Sequence, residues 1–158
     1  MDHFLKLDGI EGESTDSKHA KEIDVQAWSW GESQTGSPVP AGGGAAGKVS
    51  FHDFSFVKAI DKASPALMLA CATGKHIKTA RLAVRKAGQG QQDYLTITFR
   101  DVMVSSYQTG GSEGSGVPVD QVSLSYAKIE VEYKAQKPDG SLVVAGQFKY
   151  DLKLNKSY

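Results

Sequence analysis

From Leu142 to Leu154 the chain alternates. Leu142, Val144, Gly146, Phe148, Tyr150, Leu152 and Leu154 share one parity, while Gln147, Lys149, Asp151 and Lys153 share the other. A period of two marks a strand with one apolar face and does not suit a helix. Leu95, Ile97 and Phe99 alternate with Tyr94, Thr96, Thr98 and Arg100 in the same way. Elsewhere the alternation changes phase: Val49 and Phe51 give way to Phe54 and Phe56, and Val122, Leu124 and Tyr126 to Ile129, Val131 and Tyr133. A phase change predicts a bulge or a strand that turns its apolar side from one environment to another. The expected fold is mainly β, a small closed β-barrel of bent antiparallel strands.

One segment breaks the pattern. Ser64 and Pro65 suit the start of a helix and Gly74 its left-handed end, predicting one short flanking α-helix over about 65–73. Leu67, Met68, Leu69, Ala70 and Cys71 leave it without a wet face, so burial on several sides is expected, against the sheet or inside a subunit contact. Strands are expected near 3–9, 20–31, 48–59, 76–87, 92–107, 119–134 and 142–154. Six of the 17 glycines lie between Gly31 and Gly47, predicting a long Gly-rich loop at 31–48. The segments flanking the loops are too short for separate cores, so 1–158 reads as a single domain.

Eighteen basic and 18 acidic residues give a formal net charge of zero, which argues against nucleic acid as the main partner. The longest nearly unbroken apolar run, Ala66–Ala72, is far shorter than the roughly 20 residues of a membrane span, so no membrane insertion is expected. Met1-Asp2-His3-Phe4-Leu5-Lys6 is not a signal peptide, which predicts folding in the cytoplasm. The single Cys71 can form no disulfide within the chain. It is expected to be reduced and buried.

Gly42-Gly43-Gly44-Ala45-Ala46-Gly47 satisfies G-x-G-x-x-G and, with Lys48, nearly makes a P-loop. Phosphate binding requires a helix after the loop, but Lys48-Val49-Ser50-Phe51 reads as a strand. The histidines, His3, His19, His52 and His76, have no ligand spacing and read as exposed polar residues. No cofactor, metal or catalytic set is expected; the chain does not read as an enzyme. Trp28 and Trp30 share one side of a strand, as core residues or with one at a subunit contact. The opposite parity, Val25, Ala27 and Ser29, is small and must meet a tightly packed neighbour or open space.

The run Glu22-Ile23-Asp24-Val25-Gln26-Ala27-Trp28-Ser29-Trp30-Gly31, with the Gly-rich loop ending in Ala46-Gly47-Lys48-Val49, closely resembles the haemolysin-coregulated protein family of bacterial type VI secretion systems. The resemblance continues through Ile60-Asp61-Lys62-Ala63-Ser64-Pro65-Ala66-Leu67-Met68, Ala70-Cys71-Ala72-Thr73-Gly74-Lys75-His76 and Val84-Arg85-Lys86-Ala87-Gly88, and weakens after Lys134. It implies a tube subunit that forms a homohexameric ring. Such rings stack into a tube that is driven out by a sheath alongside a spike protein, and they carry or chaperone effector cargo in the lumen. The protein would be cytoplasmic when assembled and then secreted by the type VI route.

In such a ring Ser29 is the candidate lumen and cargo contact, because strand alternation turns it away from the two indoles. Alternation fixes the face but not what lies beyond it, so packing against a neighbouring strand is the competing reading. Gly31, Gly42, Gly43, Gly44, Gly47 and Lys48 are the candidate ring or stacking loop, expected to reach outside the subunit. A small-molecule-binding barrel with the 31–48 loop as lid is the alternative function.

Overall fold

The structure is a computed structural model that describes residues 1–36, 38, 47–86 and 91–158. The elements are β1 (Asp2–Leu7), β2 (Ile23–Asp24), β3 (Ala27–Ser29), β4 (Glu32–Gln34), β5 (Val49–Phe51), β6 (Phe54–Ala59), α1 (Ala63–Thr73), β7 (His76–Arg85), β8 (Asp93–Gly110), β9 (Val119–Ser125), β10 (Lys128–Gln136), β11 (Leu142–Asp151) and β12 (Lys156–Ser157). The 18-residue β8 is the spine of an antiparallel sheet. Its first half pairs with β7 and β10, and its second half with β9. The strand turns between the halves at Asp101, whose φ is 57°, and at an irregularity between Val104 and Ser106. Rings from both halves then meet in one core: Phe54 of β6 lies 4.8 Å from Phe99 of β8, and Phe56 lies 5.9 Å from Phe54.

The expected closed barrel does not form. The paired order β12-β11-β10-β8-β7-β1-β2 is open, and β9, β6 and β3 branch from β8 as a second open run. The two ends belong to one stretch of chain that changes partner. Val25 donates its N–H to the His3 carbonyl of β1, and the next residue, Gln26, donates to Val57 of β6. The crossing replaces the ladder that would have closed the barrel. It also breaks the parity expected from sequence: Val25 is buried, whereas Ala27 and Ser29 are exposed. The interior is filled by core side chains such as Leu5, Leu82, Phe54, Phe56 and Phe99. Among the described residues that leaves no barrel cavity for the ligand of the alternative reading.

The two phase changes mark strand breaks. β5 pairs only with β4, in a separate two-stranded sheet, while β6 joins the main one. β9 and β10 follow each other along β8 and are interrupted at Tyr126–Ala127, where Ala127 donates to the Arg100 carbonyl. β11 ends at Asp151, and its apolar parity is only partly covered, with Val144 47% exposed.

Helix α1 starts two residues before the expected position: Lys62 takes the N-cap place without a side-chain bond, and Asp61 Oδ1, one residue earlier, accepts the Ala63 N–H at 2.9 Å. Ser64 lies buried inside the first turn. Gly74 closes the helix in the left-handed region (φ 66°), a conformation that glycine adopts without steric cost. The helix buries one face through Ala63, Ser64, Leu67 and Ala70, while Leu69 is 63% exposed and Cys71 is half-buried. Burial on several sides is therefore not what the subunit provides.

The segment between β1 and β2 is pinned by charge. Arg85 of β7, itself buried, donates to Asp2 at 2.9 Å and to Asp16 at 2.7 Å and lies over the Phe4 ring. His19, read from sequence as exposed, is buried: it stacks on Phe4, with each ring nitrogen 3.0 Å from a carboxylate, Glu22 or Asp93. The Arg85 hydrogen bond, helped by the Lys18 and His19 N–H groups, holds the Asp16 carboxyl down at about 2. An unfolded aspartate titrates near 3.9, so this carboxylate stabilises the fold fully above about pH 4, and the contribution is lost as pH falls toward 2. Asp16→Asn should lower Tm at pH 7 and flatten its fall between about pH 4 and 2. Calorimetry across that range checks this; an unchanged slope would show that Asp16 does not report the pairing.

Candidate functional site

Ser29 is exposed, on the side of β3 opposite Trp28 that alternation gives it, and it sits in a row. β3 pairs with β6, β6 with β9 and β9 with the second half of β8, and the registers align Ser29 with Ser55, Ser55 with Ser123, and Ser123 with Ser106. One row on, the same registers align Ala27, Val57, Gln121 and Gln108. Together they pave a concavity of about 600 Å³. The Ser55 and Ser123 hydroxyls lie 3.1 Å apart, one hydrogen-bonding the other, while Ser29 and Ser106 are open to solvent.

The flatness of this face depends on what the same strands bury behind it. Phe54, Phe56 and Lys58 alternate with Ser55, Val57 and Ala59, and Asp120, Val122 and Leu124 alternate with Gln121 and Ser123. Lys58 and Asp120 are register partners, both fully buried, with Nζ 2.9 Å from Oδ2. Burial alone would push the Asp120 carboxyl up, but hydrogen bonds from Ser64 and Lys58 hold it below the usual carboxylate range. The charges of these two strands thus neutralise each other inside.

The Gly-rich segment leaves the end of this face. Its flanks form the β4–β5 hairpin, with Glu32 opposite Phe51 and Gln34 opposite Val49, so the expected 31–48 loop begins and ends as paired strand. Lys48 is exposed and leads into β5, not into a helix. Gly31 accepts the His52 N–H through its carbonyl. Gly47 lies against Gly36 across the hairpin: a Cβ on Gly47 would fall 1.8 Å from the Gly36 nitrogen. Gly42, Gly43 and Gly44 lie outside the described residues.

Aromatic side chains hold the base of the hairpin. Trp30 lies 6.3 Å from Phe51 and 6.5 Å from Phe148, and its indole N–H donates to the Tyr126 hydroxyl. Burial pushes that hydroxyl up to about 12, so it stays protonated and donates in turn to the His52 carbonyl at 2.8 Å. Trp28 donates to His3 Nδ1 at 2.8 Å. Both indoles are half-buried and packed on the core.

Ser55, Ser106, Gln108, Gln121 and Ser123 were not singled out by sequence. Alternation with Phe54, Phe56, Val122 and Leu124 gives the face of three of them, but only the registers bring the rows together. Among the described residues no group of three or more His, Cys, Asp or Glu is placed to hold a metal ion, and no helix is long and apolar enough to cross a membrane.

Known proteins resemble this chain in sequence and in fold. A family described as "Type VI secretion system effector, Hcp" matches residues 4–133. The chain is 51% identical over 142 residues to Protein hcp1 of Pseudomonas aeruginosa, covering 89% of this chain and 88% of that protein. Hcp1 of Salmonella typhimurium superposes with a TM-score of 0.81 at 40% identity over 99% of this chain and 98% of the other. A structure described as a type six secretion system protein superposes at 0.92, with 30% identity over 99% of both chains. The family match runs from β1 into β10 and takes in the helix and the flanks of the hairpin, and the chain belongs to the Hcp family of type VI secretion system proteins.

Proposed function

We propose that this chain, as a single domain over 1–158, is a subunit of a hexameric ring that stacks into the tube of a type VI secretion system and carries effectors in its lumen. The observation that supports this most is the concave face around Ser29. Its short side chains leave room where a cargo would pass, and the aligned rows give it a regular surface. The β4–β5 hairpin, with Gly31, Gly47 and Lys48 at its base and throat, is the arm that contacts a neighbouring subunit or ring; Gly42, Gly43 and Gly44, which follow β4 and precede β5 in sequence, remain candidates for the same contact. The sheath and spike proteins of the apparatus are the remaining partners. Assembly takes place in the cytoplasm, and export follows the type VI route. A closed ring requires two different patches on each subunit, since head-to-tail contacts close only by rotation.

Native mass spectrometry and negative-stain microscopy of the purified protein test this reading. The expected mass is about six times the 16.9 kDa subunit, with rings visible in the images. Ser29→Arg should leave that mass unchanged and reduce the amount of effector retained, because the longer side chain enters the channel. A folded Ser29→Arg subunit that no longer forms rings would place Ser29 in an interface and refute the lumen assignment.

A further inference from the structure

We infer that the Ser29 face selects cargo of one chemical class: protein segments whose contacting surface is uncharged and polar, rich in Ser, Thr, Asn, Gln and backbone amides. The inference rests on reading this face as the cargo wall. A chain that is 23% charged places no charged side chain among the twelve residues lining the concavity. The strands themselves are not short of charge. β6 carries Lys58 and β9 carries Asp120, but both lie on the buried parity and are spent on each other. The other outer face of the sheet is unlike this one: Arg100 pairs with Glu130 at 3.1 Å, and Glu130 stands opposite Lys149. Charge is thus kept off one surface in particular.

The chemistry of the lining follows from this. Hydroxyls at Ser29, Ser55, Ser106 and Ser123 and amides at Gln108 and Gln121 each donate and accept, so they match backbone and neutral polar side chains in either orientation. A lysine or glutamate of the cargo pressed onto the face would lose water and find no countercharge, a penalty that neutral groups avoid. Ala27 and Val57, with the edges of Trp28, Phe56, Tyr107 and Val122, make the lining as apolar as it is polar, but the apolar surface is far smaller than a hydrophobic docking patch of a few hundred Å². Contacts of this kind are not screened by salt, whereas attraction between exposed charges fades beyond about 10 Å at 0.1 M.

The test uses three fluorescent peptides of equal length as probes: one of Ser, Thr, Asn, Gln and Gly only, one with lysines introduced and one with glutamates. Anisotropy is measured on the full-length protein at about 50 and 500 mM NaCl. The uncharged peptide should bind best, with an affinity that changes by less than about twofold between the two salt conditions. Ser29→Lys with Gln121→Lys should weaken it about tenfold and create salt-sensitive binding of the glutamate peptide. Preference of the unmodified protein for either charged peptide, a collapse of uncharged-peptide binding at high salt, binding unaffected by the double substitution, or no binding of any peptide would each overturn the inference. Native mass spectrometry on the same samples separates the two possible failures. A ring that binds no uncharged peptide refutes the cargo chemistry, whereas a monomer that binds it refutes the ring.

Discussion

Asp120→Ala is expected to destabilise the subunit by about 3–5 kcal/mol, the range for removing one partner of a buried ion pair. For a chain of this size that is a fall in Tm of about 10 °C. Lys58 is fully buried, and its ammonium reaches Asp120 Oδ2 at 2.9 Å, Asp61 Oδ1 at 2.7 Å, Ser64 Oγ at 2.8 Å and the Ala59 carbonyl at 3.2 Å. Ser64 accepts from Lys58 and donates to Asp120, so losing that carboxylate also strands its hydroxyl. Asp61 remains, but one carboxylate that also accepts the Ala63 N–H cannot replace both. Lost polar partners of Lys58 and Ser64 in the core, more than lost packing, then set the cost.

The matched control is Lys58→Met with Asp120→Leu, which removes both charges and keeps most of the volume. It should recover well over half of the loss, because apolar replacements of buried pairs are often neutral. Chemical denaturation of the three proteins decides the matter: a double variant no more stable than Asp120→Ala would put the cost in packing. The consequence extends to the outer surface. Lys58 and Asp120 adjoin Val57 and Gln121 on directly paired strands, so a slip of β6 against β9 to relieve a stranded lysine would break the serine row. A one-residue slip exchanges the faces of a strand.

What could be read from sequence follows from how local each signal is. Alternation is local, and it gave β8 and β11 with shifts at their ends, because Ile97 and Phe99 share the buried parity in the first half of β8 and Phe148 and Tyr150 the partly covered parity of β11. The helix end at Gly74 was legible since a left-handed residue there favours glycine. Its start was misplaced because Ser64 has the chemistry of a cap, yet its hydroxyl is committed to Lys58 and Asp120, partners 6 and 56 residues away. Sequence pattern carries no trace of such a distant demand.

The same reason explains the barrel. Val25 and Gln26 look like the middle of one strand, and only their bonds to His3 and Val57 reveal a crossing between two ladders. His19 lacked any ligand spacing and looked exposed, but Glu22, Asp93 and Phe4 enclose it from three separate segments. Ser29 was legible as to its side of the strand. Its companions Ser55, Ser123 and Ser106 were not, because register is a property of pairs of strands.

Gly47→Ala is expected to abolish stacking of rings into tubes while leaving Tm within about 2 °C of the parent. The new Cβ would fall 1.8 Å from the Gly36 nitrogen, 2.2 Å from Gln34 Oε1 and 2.3 Å from the Gly36 Cα, contacts that no rotamer can relieve because two are with backbone. The strands must separate at the throat, and a two-stranded hairpin has little reserve against that, being marginal in water by itself. The core is spared, since β4 and β5 share no ladder with the main sheet and are anchored below the throat by Trp30, Phe51 and Tyr150. Gly31→Ala provides the graded comparison. Its Cβ would meet only the His52 imidazole, at 3.0 Å, and a side chain can turn away, so stacking should weaken and not vanish. Negative-stain measurement of tube length with calorimetry on the same samples checks both. Tubes of ordinary length from a Gly47→Ala protein of unchanged Tm would remove the hairpin from the stacking contact and leave it as a connector.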